Sequence, residues 1–161
     1  HPCPPETDTI KGQIVRGENH KCFPFISLDM PQMFSKTQMF TFRTLFWWGH
    51  YLIFSLILKQ NDLTSIANNL ILLKESQKFK DVQLAISPTP WEWDKNPNNF
   101  LTLLEASEKD IRKVIQIVQY VKLCCFHPLN DPKFPRLNWE NTGLNTWRML
   151  SKVCVNQSKS D

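Results

Sequence analysis

Proline placement constrains this chain more than any other feature, because a residue with fixed φ and no backbone N–H interrupts helix interiors and strands alike. Of its 11 prolines, Pro2, Pro4, Pro5, Pro24 and Pro31 fall near the start, Pro88, Pro90 and Pro97 cluster mid-chain, and Pro128, Pro132 and Pro135 form a third group. Three proline-free windows remain, 32–87, 98–127 and 136–161, and regular structure is expected there. The chain carries only 4 Gly, which makes the φ > 0 turns of an all-β protein hard to supply. The fold class expected is all-α.

Local signals place four helices in these windows. Ser35 as N-cap, Gln38 three residues on and the flanking Phe34 and Met39 read as a capping box with a hydrophobic staple. The helix they open carries Phe42, Leu45, Trp48, Leu52 and Leu56 to about Lys59. Asp62 then caps a second helix on Leu63, Ile66, Leu70 and Leu73, ending near Phe79. After a Pro/Trp-rich loop, Asn98 or Asn99 opens a third helix along Leu104, Ile111, Val114, Ile115, Val118 and Val121. A last helix over 142–155 stacks Leu144, Trp147, Ser151 and Cys154. One domain is expected, with 1–34 as an extended leader, 35–155 as helical core and 156–161 as a polar tail.

Composition narrows the function. With 42% hydrophobic and 21% charged residues the chain is neither a disordered tail nor a multi-pass membrane protein. Its 19 basic and 15 acidic residues give +4, with no run of four Lys/Arg and no interleaving of aromatic and basic side chains. Nucleic acid is therefore not an expected partner. The segment Thr44 to Leu58 has no formal charge with His50 neutral, but fifteen helical residues span only about 22 Å against a hydrocarbon core of roughly 30 Å. Membrane insertion is disfavoured, and a central bundle helix is expected, with Gly49 allowing close packing and His50 at the core or its boundary.

No motif commits the chain to chemistry. There is no G-x-S-x-G and no glycine-rich phosphate loop. Glu92 and Asp94 flank Trp93 in a proline-rich loop, where alternate residues point apart, so a solvated loop is expected over an acid–base pair. Cys125 and His127 lack a readable pKa-lowering environment. His1, His20, His50 and His127 form no H-E-x-x-H, and His20 with Cys22 falls two ligands short of a zinc site. The expectation is no catalysis, no cofactor and no metal.

Five cysteines favour an oxidising compartment, and the start His1-Pro2-Cys3-Pro4-Pro5 reads as a processed mature end. Asn156-Gln157-Ser158 is a glycosylation acceptor. A secreted protein is expected. Joining Cys22 to Cys154 would close a loop of 132 residues and restrict the unfolded chain by about 4 to 5 kcal/mol. Cys3 would then reach Cys124 or Cys125, unless these are buried apolar thiols.

Several segments resemble the prolactin and growth-hormone family of helical cytokines. The stretch from Cys22 to Pro31 with Ser27-Leu28 resembles the family's approach to its second helix, and Asn61-Asp62-Leu63 its short break between helices. Ile111 to Val121 followed by His127-Pro128, Pro135 and Trp139 resembles the third helix and crossover, and Trp147-Arg148-Met149-Leu150 with Cys154 resembles the start of the fourth. The resemblance implies an up-up-down-down four-helix bundle lacking the first helix, a Cys22–Cys154 disulfide, and binding to a cell-surface cytokine-type receptor. Trp147, Arg148 and Lys152 are the candidate receptor contacts. The alternative is a lipid-binding or membrane-associated protein that uses the apolar segment 40–58.

Overall fold

The segment expected to form the central helix is a β-hairpin. In the computed structural model, which describes residues 2–155, β3 (Met39–Trp47) and β4 (Tyr51–Lys59) pair antiparallel along their full lengths, from Met39↔Lys59 to Trp47↔Tyr51. Gly49, at φ +76°, sits in the tight connection between them. Ser35 and Gln38 bracket the preceding turn, where Ser35 Oγ accepts from the Gln38 amide at 2.9 Å and Ser35 N donates to the Gln38 carbonyl at 2.9 Å. The same polar spacing that caps a helix here closes a hairpin.

Around this hairpin lies a seven-stranded, antiparallel sheet in the order β1-β2-β3-β4-β7-β5-β6. The remaining strands are β1 (Gln13–His20), β2 (Phe23–Phe34), β5 (Gln83–Ala85), β6 (Phe100–Thr102) and β7 (Val121–Pro128). The helices are α1 (Thr64–Leu73), α2 (Glu108–Val118) and α3 (Trp139–Leu150), the last followed by a 3₁₀ turn at Ser151–Cys154. An all-α, up-up-down-down bundle is therefore overturned, and with it the helical character of 35–155; within 1–34, residues 13–20 and 23–34 are the sheet strands β1 and β2.

The glycine shortage did not prevent the sheet, because other residues take the left-handed turns. Lys21 (φ 47°) and Cys22 (φ 74°) turn β1 into β2, and Gln119 (φ 61°) ends α2. Proline is accommodated as well. Pro31 follows a cis peptide at Met30 and lies where the β2–β3 register shifts between Asp29 and Gln32, as expected of proline in a sheet.

Strand parity sorts the side chains onto two faces. Phe40, Phe42, Leu52, Phe54, Leu56, Leu58, Val121 and Leu123 face the helices and pack with Ile66, Leu70, Ile111, Ile115, Leu150 and Val153. Leu45, Trp47, Ile53 and Cys124 face the other way, into a smaller core with Trp93, Phe100 and Tyr120. The loop between β5 and β6 covers that second face. Because β4 is buried on both faces, the hydrophobic run 51–58 shows no polar alternation.

Two of the expected helices form in part, with other starts than expected. α2 begins not at Asn98 or Asn99 but at Ser107, which makes a full capping box with Asp110, and α1 occupies the first part of the second predicted helix, with Leu63 rather than Asp62 at its N-cap and Asp62 Oδ1 accepting from Thr64 N at 2.8 Å just before it. The third predicted helix is split: its first residues form β6, and Val121 begins β7.

Candidate functional site

The helix-bearing face of the sheet is not fully covered, and the opening lies beneath α3. Phe42 and Thr44 of β3 and Phe54 of β4 form its floor, and Leu28, Met30 and Pro31 of β2 form one wall. Trp139, Gly143, Leu144 and Trp147 of α3 roof it, and Cys3 and Thr9 of the leader complete the lining. The cavity measures about 650 Å³. Among the described residues, Glu140, at the exposed start of α3, is the one charged side chain that lines it.

Each wall is fixed by identifiable contacts. α3 is N-capped by Asn138, whose Oδ1 accepts from Asn141 N at 2.9 Å. Its far end is held where Asn69 Nδ2 donates to the Val153 carbonyl at 2.8 Å and the Val155 carbonyl at 3.1 Å. Trp147 meets the rings of Phe40 and Phe42 edge-on at 6.1 and 5.5 Å, and Trp139 stacks on Phe46 at 5.1 Å. Gly143 sets the helix height: a Cβ there would lie 2.8 Å from Phe54 Cε1. Only glycine lets α3 approach the floor this closely.

The β2 wall is anchored from the opposite face. Asp29, 1% exposed, accepts from Thr41 Oγ1 at 2.8 Å, Arg43 Nε at 2.9 Å and Arg43 Nη2 at 2.7 Å. This bidentate pair pins β2 to β3 at the register shift, between Leu28 and Met30, whose side chains point into the cavity.

The polar groups on the second face hold the loop 86–99 rather than forming an open site. Lys122 Nζ donates to the Pro90 carbonyl at 2.9 Å and the Glu92 carbonyl at 2.6 Å, and burial pushes the lysine below its usual pKa. Tyr51 Oη donates to the Trp93 carbonyl and accepts from Lys95 N, and burial pushes its phenol up to about 12. Glu92 Oε1 accepts from the amides of Trp93 and Asp94, and Lys21 bridges Asp94 at 2.9 Å. Glu92 and Asp94 are thus engaged in shaping their own loop.

The sequence candidates are dispersed. Trp147 lines the cavity, whereas Arg148 and Asn145 of α3 lie with Lys152 of the following turn and Lys78 on a separate surface. Among the described residues no disulfide forms. The Cys22–Cys154 pairing fails on distance. Cys22 sits at the sheet end of Phe23 and Gly49, and Cys154 shares a cavity with Met39 and Lys59 at the opposite end of the β3–β4 hairpin. Eight strand steps separate those ends by roughly 27 Å, against the 7 Å a disulfide permits. Cys3 does not face Cys124, which is wholly buried in the core on the other face, and no disulfide joins Cys3 to Cys125 in the structure. Burial pushes Cys124 to about 11 and Cys125 to about 12, which leaves little thiolate for chemistry near neutrality. Asn156 lies outside the described residues.

Sequence reasoning missed Phe42, Phe54, Trp139, Gly143 and Leu144 as cavity residues. The four-residue steps from Trp139 to Gly143 to Trp147 mark one helix stripe, but the floor is invisible until 39–59 is read as two strands. Among the described residues no group of three or more His, Cys, Asp or Glu is placed to hold a metal ion, and no helix is long and apolar enough to cross a membrane. Comparison with protein-family models, with curated proteins and with solved structures finds no match.

Proposed function

We propose that this protein binds a small apolar ligand, the acyl chain of a neutral single-chain amphiphile, in the cavity between α3 and strands β2–β4. The observation that carries this reading is the cavity itself. Its volume of about 650 Å³ lies within the range of sites that enclose small ligands, and such sites are mostly apolar with a few polar groups for orientation. Thr9, Thr44 and Glu140 are those polar groups. A carboxylate ligand would place its charge against Glu140, so a neutral head group fits better than a fatty acid anion.

The reading keeps the apolar segment 40–58 as its basis, now as the hairpin floor of a cavity. Receptor binding is what the resemblance to a four-helix cytokine with a Cys22–Cys154 disulfide implies, and neither the sheet nor the separation of those cysteines supports it.

A monoacylglycerol, titrated below its micelle concentration, tests the proposal through tryptophan emission, because Trp139 and Trp147 line the site. Binding should shift emission to shorter wavelength and saturate. Leu144→Glu, at a position 44% exposed, should leave the fold intact and weaken binding by roughly tenfold or more. An absent or nonsaturating change, or equal affinity in the variant, would overturn the proposal.

A further inference from the structure

We propose that Cys3 and Cys154 form a disulfide that ties the N-terminal leader to the turn after α3. Both side chains line one cavity of about 380 Å³, with Pro2, Met39, Phe40 and Leu58 between the leader and the end of the β3–β4 hairpin. Both also pack against the main core. Their proximity is felt electrostatically, since Cys3 contributes, after burial, to raising the Cys154 thiol to about 12.

Both positions are held by the fold. Asp8 and Gln32 exchange backbone hydrogen bonds of 2.8 and 2.9 Å, which fixes the leader against β2 a few residues after Cys3. Asn69 grips the carbonyls of Val153 and Val155 on either side of Cys154. Of the other cysteines, Cys22 lies at the opposite sheet end, Cys124 on the opposite face, and Cys125 beside Phe54 on β7, outside the cavity that Cys3 and Cys154 share with Leu58.

The chemistry is thiol–disulfide exchange with a small disulfide oxidant such as oxidised glutathione. The Cys3 thiolate, less deeply buried, attacks one glutathione sulfur, and the S–S bond breaks to release the first glutathione thiolate. The Cys154 thiolate then attacks Cys3 Sγ and expels the second. Two protein thiols are oxidised, one oxidant disulfide is reduced, and the two protons end on the two released glutathiones. With both thiols raised by burial, the exchange is slow near neutrality. The bond would also fix one end of the apolar cavity, because Cys3 lines that cavity as well, but its formation does not depend on any ligand.

The full chain, equilibrated with oxidised and reduced glutathione, acid-quenched, alkylated and digested with trypsin without reductant, tests the assignment. The expected product is peptide 1–11 joined to 153–159 with the loss of two hydrogens. In the native oxidised protein, cleavage after Lys11 should leave the leader attached until a reductant is added. Cys3→Ser should abolish both results while the protein still folds cooperatively. Recovery of Cys3 and Cys154 as separately alkylated or glutathionylated peptides, or linked to any other cysteine, would overturn the proposal.

Discussion

Replacing Asp29 with alanine should be among the most damaging single changes to this fold, and the structure sets its size. The carboxylate is 1% exposed and accepts three hydrogen bonds, two from Arg43 and one from Thr41, whose own exposure is 0%. The Arg43 side chain is 15% exposed, so removal of its partner leaves a nearly buried guanidinium with no counter-charge. Breaking such a pair from one side costs about 3 to 5 kcal/mol, a large part of the roughly 5 to 15 kcal/mol that holds a domain folded. At about 2 to 4 °C per kcal/mol for a chain of this size, Tm should fall by roughly 10 °C. Urea unfolding followed by tryptophan emission measures it. Arg43→Leu in the Asp29→Ala background should recover part of the loss, giving a coupling of at least about 1.5 kcal/mol in a double-mutant cycle. A cost below about 1 kcal/mol for Asp29→Ala, or strict additivity of the two changes, would refute this account of how β2 is pinned.

Three further outcomes follow from particular contacts. Gly143→Val should destabilise by about 1 to 3 kcal/mol through overpacking, because even a Cβ would lie 2.8 Å from a Phe54 ring that is 2% exposed; it should also abolish ligand-induced changes in tryptophan emission, and an unchanged urea midpoint would contradict the close approach. Burial lowers the Lys122 pKa, so the unfolded chain holds this proton more tightly than the folded one, and the residue's contribution grows as pH rises from the folded pKa toward the usual lysine value near 10.4. The difference in urea midpoint between the wild type and Lys122→Met should therefore move in favor of the wild type as pH approaches about 10, and a flat or falling difference would contradict it. Ser107→Ala removes one half of the box in which Asp110 N donates to Ser107 Oγ at 3.0 Å, and should cost about 1 kcal/mol by thermal unfolding.

What could be read in the sequence depended on whether local signals had a single structural meaning. The body of α2 is legible because its apolar period over Ile111, Val114, Ile115 and Val118 points to a helix, whereas its start at Ser107–Asp110 is misplaced to Asn98 or Asn99. Ser35-x-x-Gln38 was not, since a serine accepting from an amide three residues on serves a hairpin turn as well as a helix start. The run through β4 hid its alternation by burying both faces, and a buried strand and a buried helix then look alike. Its β-branched and aromatic content, with Ile53, Phe54 and Ile57 beside Tyr51, was the signal for strand. The proline map misleads here, because Pro24 and Pro31 sit within β2 and Pro128 within β7, the first two at the register shifts of the β1–β2 and β2–β3 pairs. Likewise Lys21, Cys22 and Gln119 take left-handed turn positions that the glycine count alone does not supply. Trp147 is singled out in the sequence only as a candidate receptor contact, and the placement of Phe42 and Phe54 beneath α3 depends on strand register, which no local pattern carries.

The central claim is that the space beneath α3 is a ligand site. Backbone amide chemical-shift mapping during titration with a monoacylglycerol tests it most directly. The account predicts saturable shifts concentrated at Leu28, Met30, Phe42, Phe54, Gly143 and Trp147, the residues that surround the cavity. Shifts confined to α2 or to the loop 86–99, or none at saturating ligand, would contradict it.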